Sequence, residues 1–303
     1  MGFLLTGESP SRVWCIQLSK VVSTLGDRVS TVASCGAFDE TWAERFALLG
    51  APRKLVPLVL GYEPIAESLS IAGGRRDRFL LEPVTGAAIV YDDAWFLIDT
   101  GFDVDVIRDP ERRRQRFNYD SYTAVVPPGD PLADQVAAAG LSWGALAACA
   151  VSHLHGDHSG GLRLVAPHAP MLVQADEWSF AVDVAGVRDV YFREDYLRPD
   201  LHVLLLDGDT VIAPGLTALD TRGHTPGHQS FRVDLADKSI VLACDAADLR
   251  ECIEQVRPCG FTARPGDADA ALAAIQRLAA LDQEDGVEVW PGHDPDWHAW
   301  QRA

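Results

Sequence analysis

One six-residue window constrains this chain more than any other feature. His153, His155, Asp157 and His158 fall within the run Ser152-His153-Leu154-His155-Gly156-Asp157-His158-Ser159-Gly160-Gly161. The apolar residues Cys149, Ala150 and Val151 lead straight into it, as a buried strand would. Neutral imidazole and carboxylate are the nitrogen and oxygen ligands of Zn²⁺ and similar divalent ions. Four such groups in one window are costly to bury without a cation. The bland alternative is a surface loop that happens to be rich in histidine. With nine histidines in 303 residues, a cluster of three is the less ordinary outcome. A fold that uses this window must bring other ligands to it from distant sequence.

Three further segments offer them. In Thr221-Arg222-Gly223-His224-Thr225-Pro226-Gly227-His228-Gln229-Ser230, Gly and Pro place two histidines on a tight turn before a strand. His228 sits where that strand begins and is expected to be the ligand. His224 is expected outside the ligand set, supporting a ligand or touching substrate. Cys244-Asp245 ends an apolar strand, where a carboxylate can bridge two cations. Pro291-Gly292-His293-Asp294 again puts a histidine just past a strand end.

Composition narrows the partners. The net charge of −18 argues against a nucleic-acid backbone or an anionic membrane, both of which attract Lys/Arg-rich surfaces. The run Arg112-Arg113-Arg114 is flanked by acidic residues and reads as a solvated surface. The longest stretch without charge, residues 135–156, is mostly small residues cut by Gly140, Ser142 and Gly144, so it reads as helix, loop and buried strand. The opening residues MGFLLTGESPSR lack a basic segment and a long apolar core. The expectation is a soluble, cytoplasmic protein. The six cysteines form no CxxC pair and are expected as free thiols.

Residues 1–50 read as an N-terminal extension of unclear structure, with a short amphipathic helix over 41–49. Residues 51–303 read as one catalytic domain. Residues 87–91 and 95–98 are apolar runs around Asp92-Asp93, a hairpin signal. Helices are expected over 131–139 and 162–165 and from Asp176. A longer one follows Asp267 with Leu272, Ile275 and Leu278 at helical spacing. Strands are expected over 149–152, 171–174, 203–206, 216–219, 230–235, 239–243 and 287–290. Strands in meandering groups, interrupted by helices, predict an α+β fold of two mixed sheets packed face to face with helices outside.

The window HLHGDH with His, Asp and His downstream resembles the metallo-β-lactamase superfamily over roughly residues 87–293. Asp99 in Ile98-Asp99-Thr100-Gly101 fits the family's structural aspartate. Within the superfamily, GHTPGHQS is most similar to the N-acyl-homoserine lactonases. The resemblance implies a four-layer αβ/βα sandwich and two divalent ions. Zn²⁺ suits the ligands best, and Fe, Mn or Co are also compatible. One ion would be held by His153, His155 and His228, the other by Asp157, His158 and His293, with Asp245 bridging. It further implies a metal-dependent hydrolase that opens a lactone ring through a hydroxide shared by the two ions, with Asp157 and Asp245 as the catalytic carboxylates.

Two departures bear on substrate. The lactonases often carry a bulky apolar residue between the second His and the Asp of the window. Here it is Gly156, which is expected to open space beside the metals. They often place a Tyr three residues after the bridging Asp. Here that position is Asp248, which cannot donate a hydrogen bond while ionised. Tyr119 or Tyr122 is a candidate replacement. The expected partner is a small-molecule lactone or ester, with neither nucleic acid nor membrane, and a homodimer is left open. The competing readings are another superfamily hydrolase, such as a glyoxalase II-type thioesterase, and a non-enzymatic metal-binding domain.

Overall fold

The structure is a computed structural model. It describes the backbone of residues 29–34, and residues 46, 48, 50–117, 123–183 and 190–302. Twelve strands are assigned among these: β1 Val29–Ser34, β2 Lys54–Ala66, β3 Phe79–Val90, β4 Trp95–Ile98, β5 Leu146–Ala150, β6 Met171–Gln174, β7 Val203–Asp207, β8 Thr210–Ala213, β9 Leu216–Asp220, β10 Gln229–Asp234, β11 Ser239–Leu242 and β12 Val287–Trp290. They form a seven-stranded sheet of order β1-β7-β6-β5-β4-β3-β2 and a five-stranded sheet of order β12-β11-β10-β9-β8. Both are mixed. In the larger, β4 to β7 run parallel, while β2, β3 and β4 are antiparallel. In the smaller, only β11 and β12 are parallel.

Period-two alternation decides which way each strand faces. On β4, Phe96 and Ile98 face the smaller sheet, and Trp95 and Leu97 face outward. Ala148 and Ala150 on β5 join the inter-sheet core, while Cys149 points to the outer helices. From the other side, Phe231 and Val233 of β10 and Ile240 and Leu242 of β11 complete that core. Its outward-facing partner Val241 packs with Val289 on Ile275 and Leu278 of helix Ala268–Leu281. The result is the four-layer sandwich the sequence predicted. Leu272, placed on the apolar stripe of that helix, is instead exposed.

The 87–98 hairpin and the helices expected over 131–139 and 162–165, from Asp176 and after Asp267 are present. Strand β1 runs parallel to β7, so part of the N-terminal segment belongs to the larger sheet. Phe46 packs edge-on against Phe96 in the inter-sheet core. Most of the helix expected over 41–49, and Cys15 and Cys35, lie outside the described residues. Cys149, Cys244, Cys252 and Cys259 are buried and free. No helix among the described residues is long and apolar enough to cross a membrane.

Candidate metal centre

Loops at one end of the sandwich converge from both sheets. The HLHGDH window follows β5. The GHTPGH turn joins β9 to β10, Asp245 follows β11, and His293 follows β12. Backbone strain places one of them: Cys244 adopts φ 48°, a conformation costing about 1–3 kcal/mol outside glycine, and the short turn Cys244–Ala246 then carries Asp245 inward.

Two sets of four ligand atoms result, each set lying within 4.8 Å: His153, His155, His224 and Asp245, and Asp157, His158, Asp245 and His293. All are buried. Asp245 belongs to both. Its Oδ2 lies 3.3 Å from His224 Nε2 and 3.7 Å from His153 Nε2, and its Oδ1 lies 3.1 Å from His158 Nε2 and 2.9 Å from His293 Nε2. Asp157 Oδ2 is 3.0 Å from His158 Nε2.

The outer ring nitrogens are held by fixed partners. His158 Nδ1 is 2.9 Å from Asp99 Oδ2, His293 Nδ1 donates to Pro83 O at 2.8 Å, and His153 Nδ1 is 3.0 Å from Ser152 Oγ. Asp99, itself at φ 56°, also accepts from Ser152 N and Ser152 Oγ. Such outer contacts fix the tautomer and turn Nε2 inward. His153 Nε2, 3.7 Å from Asp245 Oδ2, is buried with no hydrogen-bond partner. An orphaned imidazole nitrogen aimed at a shared carboxylate is what a cation site requires, so the residues present fit a divalent pair.

The grouping within the turn differs from the one expected. His224, not His228, joins the first set. At His228 both ring nitrogens are already engaged: Nδ1 lies 3.2 Å from Thr221 O and 3.0 Å from Thr221 Oγ1, and Nε2 accepts the Asp245 N–H at 3.1 Å. No lone pair remains for an ion. His228 immediately precedes β10 and is fully buried. His224 lies four residues earlier in the turn, its Nε2 facing His155 Nδ1 at 3.2 Å.

Gly156 is also corrected. A Cβ there would lie 2.3 Å from Phe192 Cδ2, so the space beside the window is filled by the Phe192 ring. That ring packs on Phe117, with the Arg116 guanidinium 4.5 Å from its centroid. Asp248 is buried next to the centre, and its backbone carbonyl accepts from His293 N at 2.9 Å. Burial, and then the Asp245 charge, push its carboxyl well above the ordinary value. Tyr119 and Tyr122 lie outside the described residues.

Some residues near the centre carried no motif. Glu63 and Glu82 are directly opposed on β2 and β3, and both are buried. Burial pushes Glu82 up to about 7. Carboxylates inside otherwise apolar strands were the available signal. Glu177, on helix Ala175–Asp183, and Tyr191 form a second buried pair, the Tyr191 hydroxyl donating to Glu177 Oε1 at 3.0 Å.

The family described as the Metallo-beta-lactamase superfamily matches residues 82–293. The chain belongs to that superfamily. It is 34% identical over 233 residues to a protein of Azorhizobium caulinodans named N-acyl homoserine lactonase AttM, covering 73% of this chain and 86% of the relative. A Bacillus cereus N-acyl homoserine lactonase is 34% identical over 145 residues, covering 47% of this chain and 54% of the relative. Among solved structures, an N-acyl homoserine lactone hydrolase with the product N-hexanoyl-L-homoserine at its catalytic metal centre superposes with a TM-score of 0.71 at 24% identity, covering 82% of this chain and 95% of that one. A structure described as AidC, a dizinc quorum-quenching lactonase, superposes with a TM-score of 0.61 at 17% identity, with 82% and 90% coverage. The structural likenesses establish the fold.

Proposed function

We propose that this protein is a dinuclear metal-dependent hydrolase that opens the ring of an N-acyl-homoserine lactone or a related lactone. The observation that carries the reading is Asp245, whose two oxygens face two separate ligand sets of imidazole and carboxylate. The lactonase names of relatives at 34% identity support the substrate class.

His153, His155, His224 and Asp245 would hold one ion, and Asp157, His158, Asp245 and His293 the other. When bound, two divalent cations supply Lewis acidity toward an ester carbonyl and lower the pKa of water to near neutral. Zn²⁺ suits the ligand set best. The chain's own residues do the rest. Asp99, Ser152 and Pro83 hold the imidazoles so that no reorganisation is needed at the moment of reaction. Asp157, 3.0 Å from His158 Nε2, would take up the proton of the attacking water and return it to the departing ring oxygen. Asp245 stays ionised among four imidazoles: burial opposes the charge, and His158 and His293 outweigh it.

A proton-release assay tests this. Zinc-loaded protein is given short- and long-chain acyl-homoserine lactones, simple γ- and δ-lactones and one thioester, each with and without a chelator. Chelator-sensitive opening of the homoserine lactones is the expected result. Turnover of the thioester alone would replace the lactonase reading with that of a thioesterase.

A further inference from the structure

The buried carboxylate of Glu177 takes no part in either ligand set, yet it touches both loops that carry the first one. Glu177 lies on helix Ala175–Asp183 and is fully buried. Its Oε1 accepts from Leu154 N at 3.0 Å and from Tyr191 Oη at 3.0 Å, and its Oε2 accepts from Gly227 N at 3.3 Å. Leu154 stands between His153 and His155. Gly227 stands three residues after His224. The turn sits directly on the helix: a Cβ on Gly227 would lie 2.2 Å from Glu177 N. Tyr191 presents its ring edge-on to His155, centroid to centroid 4.6 Å, and its backbone forms a bridge with that residue.

The three donors come from three separate segments, and none is a cation. A buried carboxylate without a counter-ion is expensive. Burial raises the Glu177 carboxyl above its ordinary value, and the hydrogen bonds offset only part of that rise. An apolar residue here would leave the Leu154 and Gly227 N–H groups and the Tyr191 hydroxyl without this acceptor, so the carboxylate is what joins the three segments. In the second ligand set Asp99 and Ser152 hold His158 and Pro83 O holds His293, while in the first Ser152 holds only His153. The first has none of these for His155 or His224.

We propose that Glu177 is a positioning residue that clamps the HLHGDH and GHTPGH loops together and so sets the affinity of the first ligand set selectively. The inference rests on the metal centre proposed above. Glutamine at this position keeps an acceptor for Leu154 and Tyr191 but turns an amide N–H toward the Gly227 N–H. That contact is repulsive and unlocks one loop from the other.

The test is stepwise zinc affinity of metal-stripped protein, measured by competition with a chelator. Wild type should take up two equivalents. Glu177→Gln should weaken one of them by about 10–100-fold, the range for lost outer support of a ligand, and leave the other unchanged. In a His224→Ala background, where only the second set is complete, adding Glu177→Gln should leave the remaining equivalent as it is. Tyr191→Phe, which removes one donor with little change of shape, should show a smaller loss of the same kind and carries the test if Glu177→Gln does not fold. Parallel weakening of both equivalents with a matching fall in the metal-free melting temperature would overturn the clamp in favour of general scaffolding. Unchanged affinities in both variants would also overturn it. A wild type that takes up no zinc would overturn the metal centre itself, an outcome distinct from either.

Discussion

His224 Nε2 and His155 Nδ1 face each other across 3.2 Å, with Asp245 Oδ2 3.3 Å from the former. Two ring nitrogens approach this closely only with a proton or a cation between them. On the proposed reading the first histidine of the turn is the ligand. His224→Ala should remove one zinc equivalent and nearly all turnover. His228→Ala should keep both equivalents and weaken them by about 10–100-fold, because it supports the Asp245 backbone from outside. Metal analysis by mass spectrometry beside a lactone assay separates the two. Loss of an equivalent in His228→Ala with none lost in His224→Ala would reverse the assignment.

Asp245→Ala should release the coupling between the two sets, leaving at most one tightly held ion and activity near background. Asp245→Asn keeps the shape and loses the charge that faces four imidazoles. It should therefore fold, yet bind zinc far more weakly than wild type. Full metal content and full activity in the alanine variant would end the dinuclear reading.

Gly156→Ala should destabilise the protein by about 1–3 kcal/mol, the usual cost of overpacking. The added carbon meets Phe192 at 2.3 Å, and that ring is wedged against Phe117 and Arg116. Phe192→Leu should restore part of the loss when combined with it. The two changes would then be non-additive, as contacting residues are. Thermal or urea unfolding of the four proteins reads this directly.

Asp282, at the end of helix Ala268–Leu281, accepts from Arg250 Nη1 at 3.0 Å and from Val289 N at 3.0 Å. Burial opposes the charge, and the Arg250 and Val289 hydrogen bonds outweigh it, so the carboxyl is held below its ordinary value. A depressed folded pKa adds stability above the unfolded pKa, and the benefit fades as pH falls through the folded one. Asp282→Asn should cost about 1 kcal/mol near neutrality, discounted for partial exposure. The gap from wild type should stay flat down to about pH 5 and close below about pH 4. A gap that widened on acidification would contradict the sign.

What the sequence disclosed follows from how local each signal is. The HLHGDH window needs only a strand end before it, and the apolar 149–151 run supplies that. Strands β3 and β4 were legible because Asp92-Asp93 breaks two apolar runs, and helix Ala268–Leu281 because its stripe recurs at the right spacing. Strand β2 was missed: Gly61, Glu63 and Pro64 break its alternation, and it is set by pairing with β3 over twelve positions. That His224 rather than His228 groups with His153 and His155 was not legible, because ring direction depends on Thr221 and the Asp245 backbone, contacts between segments. Glu177 was invisible for the same reason. Its partners Leu154, Tyr191 and Gly227 are scattered over more than 70 residues.

Thr85 Oγ1, on the larger sheet, donates to Gly292 O beside β12 of the smaller one, and the two ligand sets sit on that same rim. Each set draws on both sheets: His153 and His155, or Asp157 and His158, from one side, and His224 and Asp245, or Asp245 and His293, from the other. On the proposed reading each ion is a rivet through two plates. Its binding energy then resists their separation as well as holding the catalytic geometry, and the melting temperature should climb with free zinc concentration by mass action. A cell that starves this protein of metal would lose its fold reserve along with its chemistry.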